Sequence, residues 1–95
     1  MKMGRVIGSV VATRKDPSLD GVKFLVVQGL TLDVEPDGGY VIAVDAVGAG
    51  QDDIVLYASG SSARQTALTK DKPVDAVIMA IVDTFDALGQ TVRLT

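Results

Sequence analysis

Apolar, β-branched runs along this chain are cut at short intervals by clusters of glycine, proline, aspartate and serine. That rhythm predicts strands rather than long helices, arranged as antiparallel neighbours in a barrel or sandwich. Strands are expected at about 4–13, 22–30, 40–47, 54–59 and 74–82, with a short closing strand at 90–94.

The breaks between these runs have physical causes. Asp16-Pro17 forces the residue before proline into extended geometry. Asp37-Gly38-Gly39 supplies two positions that tolerate positive φ, and is expected to form a hairpin loop. After Gly60, the pair Ser61-Ser62 is expected to cap a short helix running to about Thr69, and Pro73 keeps that helix out of the next strand.

The run 74–82 is apolar enough to pass for a buried helix. Five β-branched residues, Val74, Val77, Ile78, Ile81 and Val82, favour a strand. Strict alternation then sends Val74, Ala76, Ile78, Ala80 and Val82 to one face and Val77, Met79 and Ile81 to the other. Both faces are apolar, so the second needs a cover. The chain's own helix and a neighbouring subunit stand as equal alternatives at this point.

Composition narrows the choice of chemistry. Ninety-five residues are expected to form a single domain spanning 1–95, small enough that assembly would add to its stability. With 47% hydrophobic but only 4% aromatic residues, the core must be aliphatic. There is no cysteine, which removes disulfides and thiolate metal sites, and no histidine, which removes the commonest base and metal ligand. A net charge of −3 is the wrong sign for neutralising phosphates, so no nucleic-acid partner is expected. Gly8, Ser9, Thr13 and Arg14 break any apolar stretch of signal-peptide length, and neither a transmembrane span nor a membrane partner is expected.

Candidate sites are few. Val47-Gly48-Ala49-Gly50-Gln51-Asp52 lacks both the Gly-Lys-Ser/Thr ending of a phosphate loop and the third glycine of a dinucleotide fingerprint, and reads as a tight connection or a close approach of backbones. Ser61 and Ser62 have no imidazole to activate them and read as helix-capping residues, with Arg64 free to reach a carboxylate or carbonyl. The acidic stretches Asp33, Glu35, Asp37 and Asp52-Asp53 do not have the spacing of a calcium loop and read as solvated charge. Asp45 and Asp75 lie within strand runs and are expected to be satisfied by backbone amides or an arginine. No catalytic, metal or cofactor site is assigned.

The order of segments is more specific than any one of them. Gly4-Arg5-Val6-Ile7-Gly8-Ser9-Val10-Val11-Ala12-Thr13-Arg14-Lys15 is followed by Asp45-Ala46-Val47-Gly48-Ala49-Gly50, Gly60-Ser61-Ser62-Ala63-Arg64, Pro73-Val74-Asp75-Ala76-Val77-Ile78 and Ile81-Val82-Asp83. The chain thereby resembles the bacterial microcompartment vertex family over nearly its whole length. The resemblance implies a mainly β, five-stranded OB-like Greek-key barrel with one short helix, assembling as a cyclic homopentamer. It further implies a structural, non-enzymatic shell protein in the cytoplasm, set among hexameric shell proteins at the corners of a polyhedral shell. Carried over residue by residue, it marks Gly48, Ala49, Gly50, Gln51, Asp52, Ser61, Ser62 and Arg64 as subunit-interface or pore candidates, and Lys15 as a shell-contact candidate. One departure stands out: where the family pattern has a glycine followed by glutamate, this chain has Asp52-Asp53, so Asp52 must take over any positive φ that glycine adopts.

Two other readings remain beside this one. An OB-type binding module for single-stranded nucleic acid or an oligosaccharide would need exposed aromatics and a basic groove, and the chain offers only Phe24, Tyr40, Tyr57 and Phe85. A hydrolase would have to pair Ser61 or Ser62 with Lys70 or Lys72.

Overall fold

Alternation sets the first strands as expected. Along β2 (Phe24–Leu30) the side of Leu25, Val27 and Gly29 is buried and the side of Phe24, Val26 and Gln28 is partly open. In the computed structural model, which describes residues 1–94, β2 joins β1 (Lys2–Val10), β3 (Pro36–Asp45), β4 (Ile54–Ser59) and β5 (Ala76–Ile81) in a closed barrel of order β1-β2-β3-β5-β4. All neighbouring pairs are antiparallel except β3 with β5. The purely antiparallel expectation fails there for a geometric reason: five strands that alternate in direction can close only by bringing two of the same direction together.

Inside the barrel Val6, Leu25, Val27, Ala43, Val55, Ala76 and Ile78 form an aliphatic core around the single ring of Tyr57, closed by Ala49 from the β3–β4 loop. A second cluster lies outside it, where Val44, Ala58 and Val77 are roofed by Ala63, Val74 and Val22. This settles the cover of β5. Val77 is covered by the chain itself, whereas Ile81 remains 39% exposed.

The strict alternation expected for β5 does not hold along its length. Its register with β4 slips between Leu56 and Tyr57, leaving Met79 as an extra residue, so that Ala80 pairs with Leu56 and Ile81 with Val55. Ala80 therefore leaves the face of Ile78, and Val74, which precedes the strand, joins the outer cluster of Val77. A similar slip on β1 makes Ile7 the extra residue between Val6 and Gly8.

Three other expectations are corrected. The helix expected over 61–69 is a 3-10 turn at Gly60–Arg64 whose N-cap residue Ser59 makes no side-chain capping bond; the Ser62 hydroxyl instead donates to the Ser59 carbonyl at 2.8 Å. Asp37-Gly38-Gly39 is not the hairpin loop. It lies within β3 as an insertion opposite Gly29, while Thr31 builds the β2–β3 turn, its N–H donating to the Glu35 carbonyl and its carbonyl accepting from Val34 N–H. The strand at 90–94 appears as β7 (Gln90–Arg93), but it pairs with an unexpected β6 (Thr84–Ala87) in a separate hairpin and closes nothing. Asp16 behaves as expected, with ψ 138° before Pro17.

Candidate functional site

The β3–β4 loop, residues 46–53, is organised by the aspartate that ends β3. Asp45 Oδ1 accepts the amides of Val47, Gly48 and Ala49, each at 3.1 Å. Lys23 completes the clasp, its ammonium 3.7 Å from Asp45 Oδ2 and donating to the Ala49 carbonyl at 3.0 Å. Gly48 turns the chain at φ 78°, a conformation that glycine adopts without strain.

The second half of the loop is clipped to β1. Gly50 N–H donates to Asp53 Oδ2 at 2.8 Å and its carbonyl accepts from Asp53 N–H at 3.1 Å. Asp52 N–H donates to the Val6 carbonyl at 2.8 Å, and Val6 N–H returns a bond to the Asp53 carbonyl at 2.9 Å. Asp52 sits at φ 69°, in the left-handed region that aspartate tolerates better than most residues. Ala49 points into the barrel and is buried, while Gln51 and Asp52 are the exposed residues of the turn.

Ser61, Ser62 and Arg64 lie on the 3-10 turn after β4. Arg64 Nη1 donates to the Val74 carbonyl at 3.0 Å, tying that turn to the approach to β5. Among the described residues no hydrogen bond joins this turn to the β3–β4 loop. Lys15 is exposed, with its ammonium 3.5 Å from the Ala12 carbonyl, and it lines a shallow groove with Val10, Val11, Lys23 and Phe24.

The hydrolytic and metal readings gain nothing from this geometry. The Lys72 ammonium donates to the Ser18 carbonyl at 2.8 Å, and the Ser62 hydroxyl is engaged with Ser59. Among the described residues no three carboxylates converge as a metal site would require. Tyr57 is buried in the barrel core, leaving Tyr40 as the one largely exposed ring among the described residues. Among the described residues, the amide and hydroxyl of Ser18 hold the Asp16 carboxyl below its usual range, and burial, with the Asp37 charge, pushes the Tyr57 phenol up.

One feature is not legible from the segments singled out in the sequence. The C-terminal hairpin reverses through Leu88 at φ 54° and Gly89 at φ 76°, and Leu88 is 93% exposed. The signal available was Gly89 between two short runs of mixed polar and apolar residues, which marks a turn without marking leucine as its tip.

With this geometry in place, comparison with known proteins is direct. Residues 1–83 match the family model described as ethanolamine utilisation protein EutN/carboxysome. The carboxysome shell vertex protein CcmL of Gloeobacter violaceus is 49% identical over 84 residues, covering 88% of this chain and 84% of that protein. Its structure superposes with a TM-score of 0.90 at 45% identity, over 96% of this chain and 94% of that one. GrpN, a pentameric microcompartment shell protein from Rhodospirillum rubrum, superposes with a TM-score of 0.85 at 46% identity, over 93% of this chain and all of its own. The barrel, its strand order and this extent of identity make the chain a member of the EutN/CcmL family of microcompartment shell vertex proteins.

Proposed function

We propose that this chain builds the five-fold corner of a bacterial microcompartment shell: a homopentamer whose 1–95 subunit is one structural unit, whose outer edges meet hexameric shell proteins, and which catalyses nothing. The observation that carries the reading is the match, at nearly half identity and over nearly the whole chain, to vertex proteins whose described structures include a pentamer. A sheet of six-fold units cannot close on itself, and five-fold units supply the curvature at each corner.

The loop geometry suits that task. Asp45 and Lys23 hold the β3–β4 loop by four hydrogen bonds, so Gly48, Gly50, Gln51 and Asp52 are presented to a neighbouring subunit or to the ring axis with little conformational entropy left to lose. Ala49 serves by anchoring the loop in the barrel core. Ser61, Ser62 and Arg64 form a second contact segment, and Lys15 faces the rest of the shell. The shell's host compartment is cytoplasmic, and neither nucleic acid nor membrane is among its partners; the net charge of −3 supports the first of these.

Light scattering coupled to size exclusion tests the reading. A mass of about 50 kDa, five times the 9.9 kDa subunit, is expected for a closed ring. A monomer at micromolar concentration would overturn it.

A further inference from the structure

Two places in this chain set an aspartate before a glycine, Asp20-Gly21 and Asp37-Gly38, and the chain has no asparagine. Such a pair can close on itself: the glycine amide nitrogen attacks the aspartate Cγ, and the five-membered succinimide that forms reopens by hydrolysis. A side chain on the following residue hinders that approach, and glycine has none. Proline has no N–H to give up, which removes Asp16-Pro17. By sequence the two pairs are equal, but their surroundings in the fold differ.

Asp37 is held. It lies within β3, and its Oδ1 accepts the Gly39 N–H at 2.9 Å. Its carboxylate fills the space over Gly29, where an added Cβ would collide with it. Asp20 and Gly21 instead occupy the two central positions of a type II turn, the first at φ −63° and ψ 137° and the second at φ 77°. The Val22 N–H closes that turn by donating to the Leu19 carbonyl at 3.2 Å. Among the described residues, neither the Asp20 carboxylate nor the Gly21 N–H makes a hydrogen bond, and no cation pairs with Asp20. Both residues are exposed, and nothing lies within 4 Å of where a Cβ on Gly21 would stand. The attacking nitrogen and the carbon it attacks are thus adjacent, unengaged and uncovered.

We infer that Asp20-Gly21 is a site of spontaneous backbone isomerisation, passing through a succinimide to isoaspartate, while Asp37-Gly38 stays intact. The Gly21 nitrogen bonds to Cγ of the protonated carboxyl, and the hydroxyl on Cγ leaves with the nitrogen's proton as water. Solvent water then adds to the Asp20 main-chain carbonyl carbon, the bond from that carbon to the Gly21 nitrogen breaks, and the proton released returns to the nitrogen. One water leaves and one is taken up, so no other reactant is needed. The main chain now runs through Cβ and Cγ, one methylene longer, with the old main-chain carboxyl as the side group. The insertion falls beside Val22, which roofs the outer cluster, and Lys23, whose carbonyl accepts the Asp45 N–H at 3.0 Å and whose ammonium holds the Ala49 carbonyl. Ageing of this turn therefore loosens the clasp on the β3–β4 loop.

Incubation of the folded chain in mildly acidic heavy-oxygen water tests the assignment, because each passage through the ring leaves one heavy oxygen behind. Trypsin separates the two pairs, Asp20-Gly21 in residues 16–23 and Asp37-Gly38 in residues 24–64. Label is expected in 16–23 about tenfold faster than in 24–64, the factor that one hydrogen bond on a reacting group is worth. In urea the two peptides should be labelled at similar rates. Asp20→Glu, which would need a six-membered ring, should abolish label in 16–23. Equal labelling of the two peptides in the folded chain, or labelling of 16–23 in urea alone, would overturn the assignment. Ageing should also lower the melting temperature of the parent chain and leave that of Asp20→Glu unchanged. An unchanged parent at high label would overturn the coupling to Val22 and Lys23 alone.

Discussion

Asp45 holds Ala49 in place: its Oδ1 accepts the Ala49 amide at 3.1 Å, in the same fan that takes the amides of Val47 and Gly48. The Asp45 side chain is only 4% exposed, so these bonds are shielded from water. Asp45→Ala leaves three amides without their acceptor and should cost about 2–4 kcal/mol, read as a fall in Tm of about 10–20 °C. Asp45→Asn keeps an acceptor and loses only the pairing with the half-exposed Lys23, so its loss should stay near 1 kcal/mol. Equal effects from the two variants would show that charge, not the amide fan, organises the loop.

Gly4 lies where β1, β2 and β4 crowd together. A Cβ there would stand 2.5 Å from Val27 Cγ1, 2.8 Å from the Gln28 carbonyl oxygen and 3.0 Å from Tyr57 Cε1. The carbonyl belongs to the backbone ladder and cannot swing aside. Gly4→Ala should therefore destabilise the barrel by about 1–3 kcal/mol, measurable by urea unfolding. Gly8, where an added Cβ would meet only ordinary contacts near 3.9 Å, is the control, and Gly8→Ala should change stability by less than about 0.5 kcal/mol.

Asp52 tests the left-handed turn in the β3–β4 loop. At φ 69° a β-branched residue is strained, so Asp52→Val should lose about 1–2 kcal/mol. Asp52→Gly should stay within about 0.5 kcal/mol of the parent, because relief of strain and added freedom in the unfolded chain oppose each other. A tolerated valine would mean that the turn relaxes to another backbone geometry.

Tyr57 predicts an alkaline limit to stability. Burial first, and the Asp37 charge second, raise its phenol above the ordinary value of 10.0. A group whose folded-state pKa is raised contributes stability that is fully present below the unfolded value and lost as pH rises through the folded one. Stability should therefore decline from about pH 10 upward, and phenolate absorbance in a Tyr40→Phe background should report Tyr57 ionising above that pH. Asp37→Asn should move that titration down by removing the second of its two causes. A Tyr57 that titrates at its ordinary value would mean an open, hydrated barrel end.

Legibility in the sequence followed the range of the interaction involved. Strand positions were readable because alternation and turn residues are local, and β4 was placed at its observed bounds, 54–59. The positive φ at Asp52 was anticipated only through the resemblance, which sets a glycine at that position, together with the tolerance of aspartate for the left-handed region. The capping role of Ser61-Ser62 was misread because serine bonds equally well to an amide ahead of it or a carbonyl behind it, and Ser62 takes the carbonyl of Ser59.

By itself, then, the sequence determined the strand-rich class, the aliphatic core, the absence of thiol and imidazole chemistry, and the order of segments that marks the family. Only the tertiary structure decided which face each residue takes. One extra residue in a ladder reverses every side chain beyond it, and the slips at Ile7 and Met79 are set by partners on other strands. The same holds for Asp37-Gly38-Gly39, a turn by composition that pairing draws into β3 opposite Gly29, and for Leu88, whose exposure depends on a hairpin that finds no strand partner in its own barrel. Local preference selects the conformation of a segment, but register and burial are decided by pairing energies between segments far apart in the chain, which no stretch of sequence contains alone.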